Sequence, residues 1–335
     1  FVYCESKTNL NSIKESIKKS QQIDFLNEKS QLEFLLNHKN IDIIISAISG
    51  FAGLETTLMA SKTGKIILLA NKESVVVAGD LILPLAKKYN TKIIPIDSEH
   101  NAIFQCLNSE KNTDDVSKII ITASGGPFID KKVVDLSKVT KKEALNHPNW
   151  EMGSKITIDS ATLVNKCLEL IEAKYLFDLN EKFFELVVHP QSIIHSIVTY
   201  KDGSSICQMS NPDMRVPISH ALSLEEARLS LDFSEIDFSS LNLTFQEFPQ
   251  DRLELVNIAR NICNQGGSSG TIFNAANEIA VQNFLEDRIT FNKIYEVIYR
   301  TFDAIPLSDN IDIDAIYEID NQTRMEAKKV VKSLS

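Results

Sequence analysis

The sequence predicts an α/β fold in three parts. Residues 1–96 form a doubly wound parallel-sheet domain, residues 97–228 an α+β domain, and residues 253–335 an all-α region, with 229–252 as a connector. Three observations carry this. Short apolar runs alternate with helical periodicity up to residue 96. Strand patterns with a tight Asp202-Gly203 turn appear in the middle. Helical patterns alone fill the last 80 or so residues.

In chain order, residues 1–4 read as a strand, 9–20 as a helix with lysines outside, and 30–37 as a second helix. Residues 41–48 are almost continuously apolar, as expected of a strand covered on both faces. Ser49-Gly50-Phe51-Ala52-Gly53 turns into a helix ending near Gly64. Gly50-x-x-Gly53 equally suits an ordinary strand-to-helix turn and a cofactor contact. A strand at 65–69, a loop at 70–74, a helix to Tyr89 kinked at Pro84 and a strand at 92–96 complete the domain. In such sheets ligands bind beyond the C-terminal strand ends, where Asn71, Lys72, Glu73, Asp97 and Glu99 fall.

The middle region reads as strands at 116–122 and 155–158, a helix at 161–175, strands at 184–188 and 193–200, a paired strand at 204–209 and a helix at 215–223. Four helices follow, at 253–265, 271–285, 291–302 and 314–333.

The formal net charge of −10 argues against a nucleic-acid partner, so an anionic ligand needs local donors or a metal. The five cysteines show no C-x-x-C pair, which fits a reducing compartment rather than a disulfide framework or a zinc knuckle. No apolar run reaches membrane-spanning length, so no membrane association is expected.

Chemistry-bearing residues concentrate between Asp97 and Glu169. Asp97 and Glu99, two apart at a strand end, send their carboxylates to one side. Glu169 reaches the same place from a helix, and three hard oxygen donors suit Mg²⁺ or Mn²⁺. The same spacing also suits exposed acids at a helix entry, with Asp97 or Ser98 as cap. Asn165, Lys166 and Glu169 share a helix face, which alone fits a surface ion pair. Ser160 near the helix start adds free N–H groups that favour phosphate. Ser124-Gly125-Gly126-Pro127 can hinge a mobile segment over 124–153. Trp150, the sole tryptophan, either closes that segment over a ligand or packs on its own domain. His147 suits phosphate donation or proton transfer, or is a plain loop histidine. Lys72 holds an anionic oxygen or is simply exposed. His189 and His195 match no zinc spacing and read as structural.

Seven motifs then appear in order: Leu68-Leu69-Ala70-Asn71-Lys72-Glu73-Ser74, Asp97-Ser98-Glu99-His100-Asn101-Ala102, Ala123-Ser124-Gly125-Gly126-Pro127-Phe128, His147-Pro148-Asn149-Trp150-Glu151-Met152-Gly153, Asp159-Ser160-Ala161-Thr162 through Asn165-Lys166-Cys167-Leu168-Glu169, Val188-His189-Pro190-Gln191-Ser192-Ile193-Ile194-His195-Ser196 and Asn274-Ala275-Ala276-Asn277-Glu278. Together they resemble the 1-deoxy-D-xylulose 5-phosphate reductoisomerases of the non-mevalonate isoprenoid route, over essentially the whole chain. The resemblance implies that Asp97, Glu99 and Glu169 bind Mn²⁺ or Mg²⁺. It implies that Ser98, Glu99, Asn165 and Lys166 contact the substrate, and that Ser124, Ser160, Asn165 and Lys166 hold its phosphate, with His147 nearby. Lys72 would lie close to the substrate. Trp150 and Met152 would belong to a lid, and Asn71, Glu73 and Gly153 would touch NADPH. Lys72, Glu99, His147, Lys166 and Glu169 are the implied catalytic set. The implied reaction rearranges a sugar-phosphate skeleton and then reduces it with NADPH, giving 2-C-methyl-D-erythritol 4-phosphate. A homodimer in the bacterial cytoplasm is implied too, or a plastid where the host is eukaryotic.

Two departures accompany the resemblance. The family's Gly-rich nucleotide loop has no counterpart, so the NADPH-binding domain is expected to be N-terminally truncated by two βα units, roughly 60 residues. Cys167 stands where the family usually has glycine. An enzyme without the redox half, or a non-catalytic metal- and sugar-phosphate-binding remnant, shares the same motifs.

Overall fold

The computed structural model describes residues 2–3, 11, 13–15, 24–108, 113–224, 226–230, 232–309 and 311–334. Strands β1 (Val2–Tyr3) and β2 (Phe25–Leu26) pair in parallel. The helix expected at 9–20 lies largely outside the described residues, and α1 (Lys29–Leu36) follows. Strands β3 (Ile43–Ser46), β4 (Ile66–Leu69) and β5 (Lys92–Pro95) form a parallel sheet in that order. Helix α2 (Leu54–Ala60) crosses from β3 to β4, and α3 (Lys72–Lys88) from β4 to β5. In the central strand, Ile67, Leu68 and Leu69 are fully buried, as covering on both faces requires. Edge strand β3 differs from expectation. Ile45 is 56% exposed, on a strand that pairs with β4 alone among the described strands.

Helix α3 starts at Lys72, where a loop through 74 was expected, because Asn71 Oδ1 accepts the Ser74 N–H at 2.8 Å and caps it. The helix bends at Ala78 (φ −139°, ψ 30°), not at Pro84. Two neighbours crowd the bend. A Cβ on Gly270 would sit 2.0 Å from Val76 O, and one on Gly79 would meet the Tyr175 ring at 2.5 Å. Thr271 Oγ1 donates to Val77 O at 3.2 Å, so a carbonyl beside the bend has a partner.

Helix α4 (Ser98–Asn108) leads to the second sheet, ordered β7-β6-β8-β9. Its strands are β6 (Val116–Ala123), β7 (Phe184–Val188), β8 (Ile194–Tyr200) and β9 (Ser205–Met209). β6 and β7 are parallel and the other pairs antiparallel, with the expected hairpin at Gly203. Between β6 and β7 lie the short α5 (Lys141–Ala144), α6 (Ser154–Thr162) and α7 (Val164–Phe177). The strand expected at 155–158 is thus helix, and the single helix expected at 161–175 is two. Leu163 at φ +65° breaks them. The alternation of Ile156 and Ile158 reads as a strand, yet Ile158, Ala161 and Thr162 are buried at helical spacing.

Helix α8 (Arg215–Leu222) precedes the connector, whose described residues form a short 3-10 turn and one bridge, Val188 to Gln246. Helices α9 (Leu253–Gln265), α10 (Ser269–Leu285), α11 (Lys293–Ala304) and α12 (Ile313–Leu334) match expectation within two residues. Their core joins that of the second sheet, with Ile119, Leu168, Ile262, Phe273 and Ile298 in one apolar cluster. Helix α10 also packs on α3 and α6.

Candidate active site

Asp97 follows β5 and caps α4 rather than ending a strand. Its Oδ1 accepts from the backbone N–H groups of Glu99 at 3.1 Å and His100 at 3.4 Å. The alternative reading of Asp97 as a helix cap therefore holds for geometry. The acids are not exposed: the Asp97 and Glu99 side chains keep 11% and 14% of their surface. Glu169, on α7, is 1% exposed. One ligand oxygen from each of the three lies within 4.8 Å of the others. Such convergence is costly without cations.

Two lysines supply the positive charge. Lys72 Nζ lies 2.6 Å from Asp97 Oδ2, 3.0 Å from Glu169 Oε1 and 2.9 Å from Asn165 Oδ1. Lys166 Nζ lies 3.1 Å from Glu99 Oε1 and 2.5 Å from Glu169 Oε2. Neither lysine is exposed, which overturns the bland reading of both. Asn165 Nδ2 donates to Glu169 Oε1 at 2.5 Å, and Ser98 Oγ to Glu99 Oε2 at 2.7 Å. Burial and the Glu169 charge still raise the Glu99 carboxyl to about 7, with Lys166 opposing. Burial also works against the Asp97 charge, but Lys72 and His100 outweigh it and hold that carboxyl well below the usual range. Three buried oxygen donors with surplus negative charge fit a hard divalent cation.

The opposite wall uses neutral donors. His147 Nδ1 accepts the backbone N–H of Asn149 at 3.1 Å and of Trp150 at 3.0 Å. That leaves the proton on Nε2, which lies 3.0 Å from Ser124 Oγ and 3.1 Å from Ser160 Oγ. Burial lowers the ring to about 4, so it stays neutral at physiological pH. The Gly125-Gly126 turn brings Ser124 there. Both glycines have positive φ, and a Cβ on Gly126 would meet the α6 backbone at 2.9 Å.

Trp150 and Met152 line the same pocket as both walls. The Trp150 ring centroid is 5.9 Å from that of His195. Asn149 ties the segment down through Pro190 O and Ser192 Oγ. At its other end, the buried Arg252 donates to Phe128 O at 3.0 Å and Lys131 O at 2.9 Å.

The expected cofactor contacts sit apart from this cluster. Asn71 caps α3 and donates to the carbonyls of Ile48 and Gly50. Glu73 pairs with Lys155, and Gly153 caps α6. The structural reading of His189 agrees with its bonds: Nδ1 faces Thr244 O and Nε2 accepts the Ile193 N–H.

Sequence reasoning missed two buried residues behind the carboxylates. His100 Nδ1 is 3.1 Å from both Asp97 Oδ1 and Glu172 Oε2, and Nε2 is 2.9 Å from Glu169 O. Burial opposes the imidazolium, yet Glu172 and Asp97 raise the ring to about 9. The available signal was spacing: Glu172 follows Glu169 by one helical turn, as His100 follows Asp97.

The fold and the pocket define a class: an α/β enzyme with a divalent-cation site facing a donor-lined site for a small anion. Three family models match the chain: 1-deoxy-D-xylulose 5-phosphate reductoisomerase at residues 1–79, its C-terminal domain at 93–177, and the DXP reductoisomerase C-terminal domain at 209–326. A 1-deoxy-D-xylulose 5-phosphate reductoisomerase of Acinetobacter baumannii is 44% identical over 321 residues, which is 93% of this chain and 80% of the relative. A solved reductoisomerase from Zymomonas mobilis in complex with NADPH superimposes with a TM-score of 0.90 at 38% identity, covering 99% of this chain and 86% of that one. A DOX-P reductoisomerase solved with NADPH, fosmidomycin and magnesium gives 0.89 at 38%, covering 98% and 85%. The chain belongs to the 1-deoxy-D-xylulose 5-phosphate reductoisomerase family.

Proposed function

We propose that the chain performs its family's reaction in this pocket, converting 1-deoxy-D-xylulose 5-phosphate to 2-C-methyl-D-erythritol 4-phosphate. The observation that carries the proposal is the opposition of two walls within one pocket, carboxylates on one side and neutral donors on the other. Asp97, Glu99 and Glu169 would hold Mn²⁺ or Mg²⁺, which supplies Lewis-acid polarisation of adjacent substrate oxygens. NADPH supplies the hydride. The relatives solved with NADPH and with magnesium support both groups.

The chain's own residues bind and orient. Ser124, Ser160 and the Nε2–H of His147 present hydroxyls and an N–H to the phosphate. Lys72, Lys166, Asn165 and Ser98 meet the substrate oxygens at the carboxylate wall and balance its charge. Trp150 and Met152 exclude water from the covered pocket. Asn71, Glu73 and Gly153 face the cofactor side. NADPH consumption with 1-deoxy-D-xylulose 5-phosphate and Mn²⁺ tests the proposal. Mn²⁺ binding without NADPH consumption or a reduced product would sink it.

We further propose a homodimer. Among the described strands β9 is an edge, and Ile218, Leu222 and Phe238 are exposed at 37%, 40% and 70%. Sedimentation equilibrium returning a monomer would overturn this.

A further inference from the structure

Outside the pocket, one partly buried chain of polar side chains joins elements distant in sequence, with Lys155 itself 23% exposed. It also uses the Asn274–Glu278 motif, to which the catalytic reading gives no task. Lys155, in the first turn of α6, places Nζ 2.7 Å from Glu73 Oε1 on α3 and 2.7 Å from Asp159 Oδ2 on its own helix. Asp159 Oδ1 accepts from Asn277 Nδ2 of α10 at 2.9 Å. Asp159 and Asn277 are 1% and 0% exposed, and Glu73 is 7% exposed. The next residue, Glu278, accepts the Phe51 N–H at 2.9 Å through Oε1 and Arg324 at 2.6 Å through Oε2. Asn71 closes the circuit by donating to Gly50 O at 3.0 Å.

The neighbours of these residues give the circuit a consequence. Asp159 directly precedes Ser160 of the anion wall. Glu73 directly follows Lys72 of the carboxylate wall. Gly50-Phe51, Asn71-Lys72-Glu73 and α6 are thus joined through side chains, and Lys72 and Ser160 of these segments line the pocket. One ammonium serves two carboxylates, so a displacement of α3 is felt at α6 through Lys155 alone among these contacts. Burial opposes the Lys155 charge, and Asp159 and Glu73 more than restore it.

We propose that Lys155 is a positioning residue that links occupancy of the cofactor side, at Asn71 and Glu73, to occupancy of the phosphate side, at Ser160. Each ligand then strengthens binding of the other. This rests on the roles given to Glu73 and Ser160 under the proposed function.

Trp150, the sole tryptophan, lines the pocket and reports binding. The full chain is titrated with NADPH, with and without inorganic phosphate, following Trp150 emission. In the native chain phosphate tightens NADPH binding by about fivefold. In Lys155→Met that factor falls to near one, and in Lys155→Arg, which can span both carboxylates, most of it returns. Where Lys155→Met does not fold, the double variant Lys155→Met/Asp159→Asn removes the more deeply buried of the two stranded charges and predicts the same loss. A structural lysine would shift the melting temperature and leave the linkage intact. A folded Lys155→Met or double variant that keeps the factor overturns the proposal, as does a native chain with none. Failure of the underlying reading shows separately. In that case Ser160→Ala binds phosphate, and Glu73→Gln binds NADPH, as tightly as the native chain.

Discussion

The two walls of the pocket are built from opposite materials. At the carboxylate wall, Asp97, Glu99 and Glu169 crowd together and are balanced by Lys72 and Lys166, with His100 held charged behind them. At the donor wall, Ser124, Ser160 and His147 carry no charge, and burial lowers both His147 and His195 to about 4. The same residue type, histidine, is thus cationic on one side and neutral on the other. The difference teaches how a chain of net charge −10 handles an anionic ligand. On the proposed reading it concentrates charge where a cation would be held, and would meet the phosphate with oriented dipoles that need no counterion.

Glu169→Gln tests the first half and has the largest expected effect. It strips a buried charge that faces both lysines, which leaves Lys166 with Glu99 alone. It also removes one of three anionic donors, so Mn²⁺ affinity and kcat/KM are expected to fall by roughly 10²–10³-fold. Calorimetric titration with Mn²⁺ checks it, and retained affinity would break the charge-balance reading.

Acid separates the walls by stability. The His195 ring, 4% exposed and 3.0 Å from Ser210 Oγ, is lowered from 6.5 to about 4 by burial. Its folded pKa is depressed, so its contribution is fully present above pH 6.5. It is lost as pH falls through 6.5 towards 4, where the unfolded chain takes up the proton first. The loss reaches at most about 3 kcal/mol. His195→Gln should flatten the fall of melting temperature across that window. An unchanged slope would place the acid sensitivity elsewhere.

His147→Gln sharpens the second half. It removes the Nε2–H shared between Ser124 and Ser160, and the acceptor for two backbone N–H groups. We expect KM for the sugar phosphate to rise about tenfold, with Mn²⁺ affinity unchanged. A parallel loss of Mn²⁺ binding would mean the walls are not separable.

The sequence announced the walls unevenly. The convergence of Asp97, Glu99 and Glu169 was legible through the ordered motifs, whereas their spacing alone equally suited exposed acids at a helix entry. Their geometry stood open between two readings, since a capping Asp97 and a strand-end Asp97 look alike in one dimension. The split between α6 and α7 was hidden because Leu163, which takes φ +65°, is not a residue that advertises a break. The bend at Ala78 was hidden for another reason. It comes from Gly270 and Tyr175, both far away in sequence, whereas Pro84 gave a local signal that tertiary packing overrode. Lys155 stood only at the start of a strand expected at 155–158, and its link to Glu73 exists because the fold makes that segment a helix beside α3.

Cys167 marks the limit of the comparison, because it lies next to the carboxylate wall without belonging to it. It follows Lys166 and precedes Leu168 on α7, is fully buried, and packs in the apolar cluster with Val164, Leu170 and Ile171. Burial pushes its thiol far up, so it holds no charge and offers no soft ligand to a metal. Cys167→Gly would remove a small apolar group and loosen the helix, a cost of about 1–2 kcal/mol in stability. Its neighbour Lys166 keeps both partners, Glu99 and Glu169, so activity should change by no more than about threefold with Mn²⁺ affinity intact. A melting curve beside a Mn²⁺ titration reads both. Loss of metal binding in that variant would mean that packing behind α7, and not the charge balance in front of it, sets the geometry of the carboxylate wall.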